Sequence, residues 1–510
     1  MAAVPAGSGS VVQTMPSAYR HTKRKHFVSY MVAGMSASTE APSAEGTPTG
    51  GVPPADAAAT VARLHSAFAT GRTRPVGWRK TQLRRLRRLL TEQEDAFASA
   101  LRADLGKSAV EAYVTEIGFT IKEIDHTLRH LDRRLSPRRA SVPLPLRPAR
   151  ARTVREPLGT VLIISPWNYP LQLALAPLVG ALAAGNCAVV KPSELAPATS
   201  AALAHWLPRA LDPEAVAVVE GGVPETTALL EQRFDHVFYT GNGTVGRIVM
   251  RAAAAHLTPV TLELGGKSPA VVEPGADLRA AARRIAWGKY MNTGQTCVAP
   301  DYVLAIGETA TALERHLTDA IREMYGADPA TSGDYGRIVN ERHFDRLTAL
   351  LADGRTVTGG VYDRTTRYIA PTVLADVAPE APVMREEIFG PILPIVRVPD
   401  LDTAIDFITA RDKPLALYAF TACAHSKRRL TAETSSGALS FGAPNAHLAV
   451  PGLPFGGVGE SGMGRYHGEH SLDTFSHTKA VLDKPLWPDT LRLACPPFTA
   501  RKTGLLRRFM

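Results

Sequence analysis

From Gly159 onward the chain alternates short apolar runs, at residues 161–164, 188–190, 215–219, 236–239 and 260–264, with longer segments of helical periodicity. Short continuous apolar runs bounded by turn signals suit strands buried on both faces, and strand–helix–strand alternation builds a parallel, doubly wound α/β sheet. Ligands of such a sheet bind beyond the carboxyl ends of its strands. The residues just after each run are therefore the informative ones.

Ser165-Pro-Trp-Asn-Tyr-Pro170 comes after the first run. Its prolines brace the loop, and the Asn168 amide can donate to a developing oxyanion, although a plain turn explains the segment as well. Lys191-Pro-Ser-Glu194 comes after the second run. Lys191 can hold ribose hydroxyls or phosphate, and Glu194 can accept from a ribose 2′-hydroxyl. Ser193 as the cap of a following helix is an equal alternative. Gly241-Asn-Gly-Thr-Val-Gly246 comes after the fourth run and opens a helix, the context of a dinucleotide-binding turn. Such a turn calls for an acid about 20 residues on, which here is Glu263.

Glu263 has a competing role. It lies in Val260-Thr-Leu-Glu-Leu-Gly-Gly-Lys-Ser-Pro269, and Asn292-Thr-Gly-Gln-Thr-Cys297 offers a thiol further on. A thiolate can capture an electrophilic carbon, and a carboxylate can then activate water to release it. A buried thiol and a glutamate marking a turn would look the same, and spacing alone does not choose. Beyond them, Arg385-Glu-Glu-Ile-Phe-Gly-Pro391 presents Glu387 and Phe389 at a turn. The glycine-dense Pro454-Phe-Gly-Gly-Val-Gly-Glu-Ser-Gly-Met-Gly464 reads by itself as a flexible surface loop.

At 510 residues, 45% hydrophobic and 21% charged, the chain has room for two or three domains. Its net charge of +10 admits an acidic partner, but no nucleic-acid motif accompanies the arginines, so no nucleic acid is expected. Cys187, Cys297, Cys423 and Cys495 lie far apart without C-x-x-C spacing. This argues against a zinc site and a disulfide framework and fits a reducing compartment. Residues 171–184, the longest apolar stretch, carry Gln172 and Pro177 and are too short to span a bilayer, so they read as a buried helix. Residues 1–55 read as disordered, with Met31 and Met35 as alternative starts. Helical periodicity then runs to about residue 138, with Leu83, Leu86, Leu89 and Leu90 on one face. Residues 140–157 read as an extended arm.

Ser165-Pro-Trp-Asn, Lys191-Pro-Ser-Glu, Leu262-Glu-Leu-Gly-Gly-Lys, Gly294-Gln-Thr-Cys, Glu387-Ile-Phe-Gly-Pro and Pro454-Phe-Gly-Gly fall in the order and spacing of the aldehyde dehydrogenase superfamily. The chain resembles that superfamily over roughly residues 60–480. Gly222-Val-Pro-Glu-Thr-Thr227, Arg233-Phe-Asp-His-Val-Phe-Tyr-Thr-Gly-Asn242 and Trp287-Gly-Lys-Tyr-Met-Asn292 look like its class 3 branch, which includes fatty, benzaldehyde-type and coniferyl-type aldehyde dehydrogenases.

The resemblance implies NAD(P)-dependent oxidation of an aldehyde to its acid through a Cys297 thiohemiacetal and thioester. Asn168 and the Cys297 backbone N–H would be the oxyanion donors and Glu263 the general base. It also makes Gly243 incidental, with Gly241 and Gly246 as the matching positions. Lys191 and Glu194 would hold the adenosine ribose, Asn242 and Gly246 would lie near the pyrophosphate, and Glu387 would bind the nicotinamide ribose. Phe389 would line the nicotinamide pocket, and Trp167, Ser193, Gly241 and Leu264 would complete the cofactor site. Glu194 should repel a 2′-phosphate, yet relatives with this glutamate often take both cofactors, so NAD or NADP is expected. Thr293 stands where class 3 relatives often carry a second cysteine.

The implied domains are an extension (1–55), an NAD(P)-binding domain (56–139 and 158–264), a catalytic domain (265–440), an oligomerisation arm (140–157 and 441–483) and a basic tail (484–510). A cytoplasmic homodimer is expected, with at most weak peripheral membrane contact through the tail. Two rivals remain: a CoA-acylating relative, disfavoured because such relatives usually lack the glutamate base, and a non-catalytic descendant, which would have no reason to keep Cys297, Asn168, Glu263 and Glu387.

Overall fold

Each of the five apolar runs is a strand. Thr160–Ile164, Cys187–Lys191, Val216–Val218, His236–Thr240 and Val260–Glu263 run parallel in one sheet. The computed structural model describes residues 54–509; the expected extension, residues 1–55, lies outside them except for Pro54 and Ala55. Across the sheet the order is Val260–Glu263, His236–Thr240, Thr160–Ile164, Cys187–Lys191, Val216–Val218. Connections change direction between Thr160–Ile164 and His236–Thr240, and a switch point of this kind opens a crevice at the strands' carboxyl ends. Register sets Ile164 beside Lys191 and Thr240 beside Glu263, so the polar endings of the runs share one rim.

Strand alternation sorts the core. Val161, Ile163, Val190 and Phe238 point to one face, where they pack with Leu83, Leu86 and the helix Gln172–Ala184. Leu162, Ile164, Val189 and Val237 point to the other, against Val61 and Leu64 of the helix Pro54–Ala69. Burying one such side chain contributes about 1.5–3 kcal/mol. Residues 171–184 form the buried helix their composition predicts, and Leu83, Leu86, Leu89 and Leu90 are the buried face of Val76–Glu92. Among the described residues no helix is long and apolar enough to cross a membrane.

A second, seven-stranded sheet has the order Arg355–Thr358, Thr372–Ala375, Ile392–Val398, Tyr302–Ile306, Pro269–Val272, Ala416–Phe420, Ala438–Phe441. It is parallel except at Arg355–Thr358. A third, antiparallel sheet joins Arg138–Ala140, Arg150–Pro157 and Ser476–Asp483, which are mostly exposed.

Residues 441–483, assigned from the sequence to one arm, are shared among all three sheets. Phe441 ends a strand of the seven-stranded sheet, Gly462–Met463 pairs antiparallel with Val260–Glu263, and only Ser476–Asp483 joins the arm strand. The glycine-dense stretch is correspondingly not a loose surface loop. Phe455 and Tyr466 are buried and bridge each other, Ser461 is fully buried, and a Cβ on Gly457 would collide with the Ser461 carbonyl. Glycine is needed there because two backbones meet. In the tail, Lys484 donates to the Leu146 carbonyl at 3.2 Å and Thr490 Oγ1 at 2.9 Å, and Ala500–Phe509 is helical.

Candidate active site

Glu263 is the last residue of its strand. Its side chain is only 2% exposed, and neither carboxylate oxygen has a hydrogen-bond partner among the described residues. Burial without a partner pushes its carboxyl well above the usual range. The antiparallel strand Gly462–Met463 seals it on the edge side, with Gly462 directly opposite Glu263.

Cys297 lies in the loop between the helix Leu278–Tyr290 and the strand Tyr302–Ile306. The approach to it is bent: Asn292 (φ 52°) and Thr293 (φ 55°) adopt left-handed backbone, which side chains other than glycine tolerate only under constraint. The constraint is visible. The Asn292 N–H donates to Glu111 Oε1 at 2.6 Å, and its side-chain amide donates to the Asn168 carbonyl (2.8 Å) and the Gln295 carbonyl (3.0 Å). Gln295 in turn accepts the Val339 N–H and donates to the Arg337 carbonyl, both at 3.0 Å. Burial raises the Cys297 thiol, the Glu387 and Glu263 carboxylates raise it further, and the Cys297 and Val298 backbone N–H groups oppose them. The free protein therefore favours the thiol form.

Asn168 is buried in the loop after Thr160–Ile164, and its Nδ2 donates to the Gln295 carbonyl at 3.0 Å. That bond fixes which way the amide faces and uses one of its two protons. Tyr169 joins the same pair of loops, its hydroxyl sharing a 2.6 Å hydrogen bond with Thr296 Oγ1. Loops from the two large sheets thus meet around one thiol, joined by side chain–backbone bonds and by the Tyr169–Thr296 side-chain bond.

The remaining residues fall into three groups. Lys191 is buried at its strand end, donating to the Pro192 carbonyl at 2.8 Å and lying 3.4 Å from exposed Glu194. Ser193 accepts from the Leu195 N–H at 3.2 Å and caps no helix; the next helix starts at Pro197 and is capped by Asp104, which accepts from Ala198 and Thr199. In the second group, Asn242 caps the helix Gly243–Ala254 by accepting from the Val245 N–H at 3.0 Å. A Cβ on Gly241 would collide with Tyr239 Oη, and one on Gly246 would press on Leu264, whereas one on Gly243 would meet only the flexible Arg247. In the third, Trp167 packs edge-on to Phe389 with centroids 5.3 Å apart, and Glu387 lies against Gly265. Burial and then Asp301 push Glu387 up to about 8, against the Gly266 N–H and the Lys267 and Lys289 charges. A helix N-terminus with close backbone, a lysine–carboxylate pair and an aromatic wall suit a dinucleotide's phosphates, ribose and ring.

The aldehyde dehydrogenase family model matches residues 37–481. The chain belongs to the aldehyde dehydrogenase family. It is 50% identical over 451 residues to aldehyde dehydrogenase family 3 member A2 of Mus musculus, covering 88% of this chain and 93% of the relative. It is 47% identical over 444 residues to the "Aldehyde dehydrogenase, dimeric NADP-preferring" of Canis lupus familiaris, covering 87% and 98%. Among solved structures, the substrate-bound AldH of Staphylococcus aureus superposes with a TM-score of 0.87 at 43% identity, covering 89% of this chain and 99% of that one. The protein is a class 3 aldehyde dehydrogenase, oxidising an aldehyde with NAD or NADP without transfer to coenzyme A.

Sequence reasoning missed the floor of this dehydrogenase's site. By pattern alone, Lys107, Glu111 and Glu116 are only part of a helical stretch. In fact Lys107 and Glu116 form an ion pair with both side chains 0% exposed. Two opposite charges nine positions apart, with Leu105 and Ile117 outside them, gave the only hint.

Proposed function

We propose that Cys297 is the nucleophile, Asn168 the side-chain oxyanion donor and Glu263 the base that activates water. The observation that carries this is Glu263 itself: a buried carboxylate with no hydrogen-bond partner among the described residues, at a strand end, close enough to raise the thiol of Cys297. In the first half of the reaction the Cys297 thiol gives its proton to solvent and its sulfur bonds to the aldehyde carbon as the carbonyl π pair moves to oxygen. The second Asn168 proton and the Cys297 N–H would stabilise the resulting oxyanion. NAD or NADP, held by the residues named below, would supply the hydride acceptor for oxidation of this adduct to a Cys297 thioester. In the second half Glu263, in its ionised form, takes a proton from water, the hydroxide oxygen bonds to the thioester carbon, and the sulfur leaves with its electron pair to free the acid. Lys191 and Glu194 hold the adenosine ribose, Asn242 and Gly246 face the pyrophosphate, and Trp167, Phe389 and Glu387 frame the nicotinamide ribose and ring. Ser193, Gly241 and Leu264 complete that surface.

The substrate class we infer is apolar aldehydes, aliphatic or aromatic, from the resemblance to the class 3 branch. The expected domain boundaries are kept for the cofactor and catalytic parts, and the exposed strand Ser476–Asp483 is the edge through which a homodimer assembles. The protein is cytoplasmic, and exposed Leu486, Trp487 and Phe498 beside the tail's basic residues give it at most weak peripheral membrane contact.

The test is NADH and NADPH formation with aldehydes from acetaldehyde through long-chain aldehydes to benzaldehyde and coniferaldehyde. Cys297→Ala should abolish turnover, and Glu263→Gln should keep a hydride-transfer burst while losing steady turnover. Normal steady-state chemistry in Glu263→Gln with only weakened cofactor binding would return Glu263 to a ribose-binding role.

A further inference from the structure

Lys107 and Glu116 are buried and charged, and no step of the reaction uses them. Bringing two charges out of water costs several kcal/mol per ion before their attraction is counted. Apolar side chains of similar volume would fill the same space, so the contacts these two make are the informative feature.

Lys107 comes directly after Gly106, whose left-handed backbone (φ 71°) ends the helix Glu94–Leu105. Its ammonium has three N–H groups and three neighbours. It donates to Glu116 Oε1, donates to the Asn168 carbonyl at 3.0 Å, and lies 4.0 Å from the centroid of the Tyr169 ring. Glu116 sits in a five-residue π-turn, Tyr113–Ile117, a local widening that often marks functional sites. Its other oxygen accepts the N–H groups of Leu171 (2.9 Å) and Gln172 (3.1 Å), which open the helix Gln172–Ala184. The pair therefore grips residues 168–172 on both sides. Asn168 is held at its carbonyl by Lys107 and Asn292, and its amide is turned by the Gln295 carbonyl. Tyr169, under the ammonium, reaches Thr296 beside Cys297.

We propose that the Lys107–Glu116 pair is a positioning device for the oxyanion donor, fixing the Asn168 amide relative to the Cys297 loop. Removing it leaves the donor chemically intact but misplaced. A misplacement on the order of 1 Å costs about 100-fold in rate. The proposal rests on Asn168 being the oxyanion donor, and the two assignments fail separately.

The experiment measures the hydride-transfer burst at saturating cofactor for wild type, Lys107→Met, Lys107→Arg, Asn168→Ala and the Lys107→Met/Asn168→Ala pair. Cofactor affinity and thermal melting are followed alongside. Lys107→Met should slow the burst about 10- to 100-fold, with cofactor affinity unchanged and partial rescue by Lys107→Arg. In the Asn168→Ala background, Lys107→Met should add less than about twofold, because the group it positions is already gone. An unchanged burst in Lys107→Met overturns the proposal, and so does a full multiplicative loss in the double variant. A wild-type burst in Asn168→Ala would refute the oxyanion role itself. If Lys107→Met does not fold, Lys107→Met/Glu116→Leu removes both charges together and leaves neither uncompensated. A normal burst in that variant, or its failure to fold, overturns the proposal as well.

Discussion

Two buried glutamates of this protein, Glu116 and Glu263, differ in one respect. Glu116 is 0% exposed, and both its oxygens are used, by Lys107 and by two backbone N–H groups. Glu263 is 2% exposed, and neither oxygen has a hydrogen-bond partner among the described residues. A satisfied buried carboxylate is a fixed part of the framework. An unsatisfied one binds its proton tightly and, once ionised, is a strong proton acceptor, because burial raises its affinity for protons and no hydrogen bond from the described residues lowers it. Burial alone would have ranked the two alike; the hydrogen bonds separate them.

The comparison breaks most decisively on rate. Glu263→Gln should slow acid release about 100- to 10,000-fold, the usual worth of a positioned base. Single-turnover measurements should show the hydride burst surviving while the thioester accumulates; equal loss of both phases would mean Glu263 is not specific to the second half.

Stability should invert the order of the two residues. Glu116→Leu strands Lys107 as an uncompensated buried charge and should cost about 3–5 kcal/mol in denaturant unfolding. Glu263→Gln should cost far less. The sign of the pH dependence comes from the raised folded-state affinity for protons of Glu263. Above the ordinary carboxylate range the unfolded chain has already lost the proton that the native state keeps, so stability present at low pH is lost as pH rises through the folded value. Glu263→Gln should therefore flatten the decline of stability toward alkaline pH, which melts across about pH 5 to 9 would reveal. Glu387, raised to about 8, contributes a decline of the same sign that should persist in that variant.

A smaller effect concerns the Cys297 thiol. Because burial and the Glu387 and Glu263 carboxylates keep Cys297 protonated, its alkylation by iodoacetamide in the cofactor-free protein should rise about tenfold per pH unit through about pH 7 to 9. A flat profile would show that the thiolate is already formed. The smallest effect concerns cofactor choice. Exposed Glu194 should discriminate only weakly against a 2′-phosphate, so Glu194→Gln should lower the KM for NADP by about 2- to 5-fold and leave that for NAD little changed.

Much of the fold was legible because its signals are local. Residues 161–164 and 236–239 announce buried parallel strands through unbroken apolar runs, and residues 171–184 announce a buried helix through length and composition. Glu263 and Asn168 stood out because each ends or closely follows such a run near Gly or Pro, and Cys297 because it is a thiol in a small polar loop entering an apolar segment. The bare pattern could not choose between two jobs for Glu263; family resemblance assigned it to water, and its unpartnered burial is the physical support for that. The strand Gly462–Met463 was hidden because two residues carry no periodicity, and its place is set by the backbone of Val260–Glu263, some 200 positions away. Ser193 looked like a cap because capping is judged from nearest neighbours, whereas the cap came from Asp104 on another helix.

The sequence by itself thus determined the sheet, the core faces that alternation and helical period impose, and the identities of the reactive side chains. Those depend on spacing along the chain, which folding preserves. Only the tertiary structure decided which buried charges are compensated and which are not, and how the Asn168 amide is turned. These depend on partners brought together from distant positions, such as Lys107 with the Asn168 carbonyl and Asn292 with Glu111, and no local pattern records a partner that arrives only when the chain has closed.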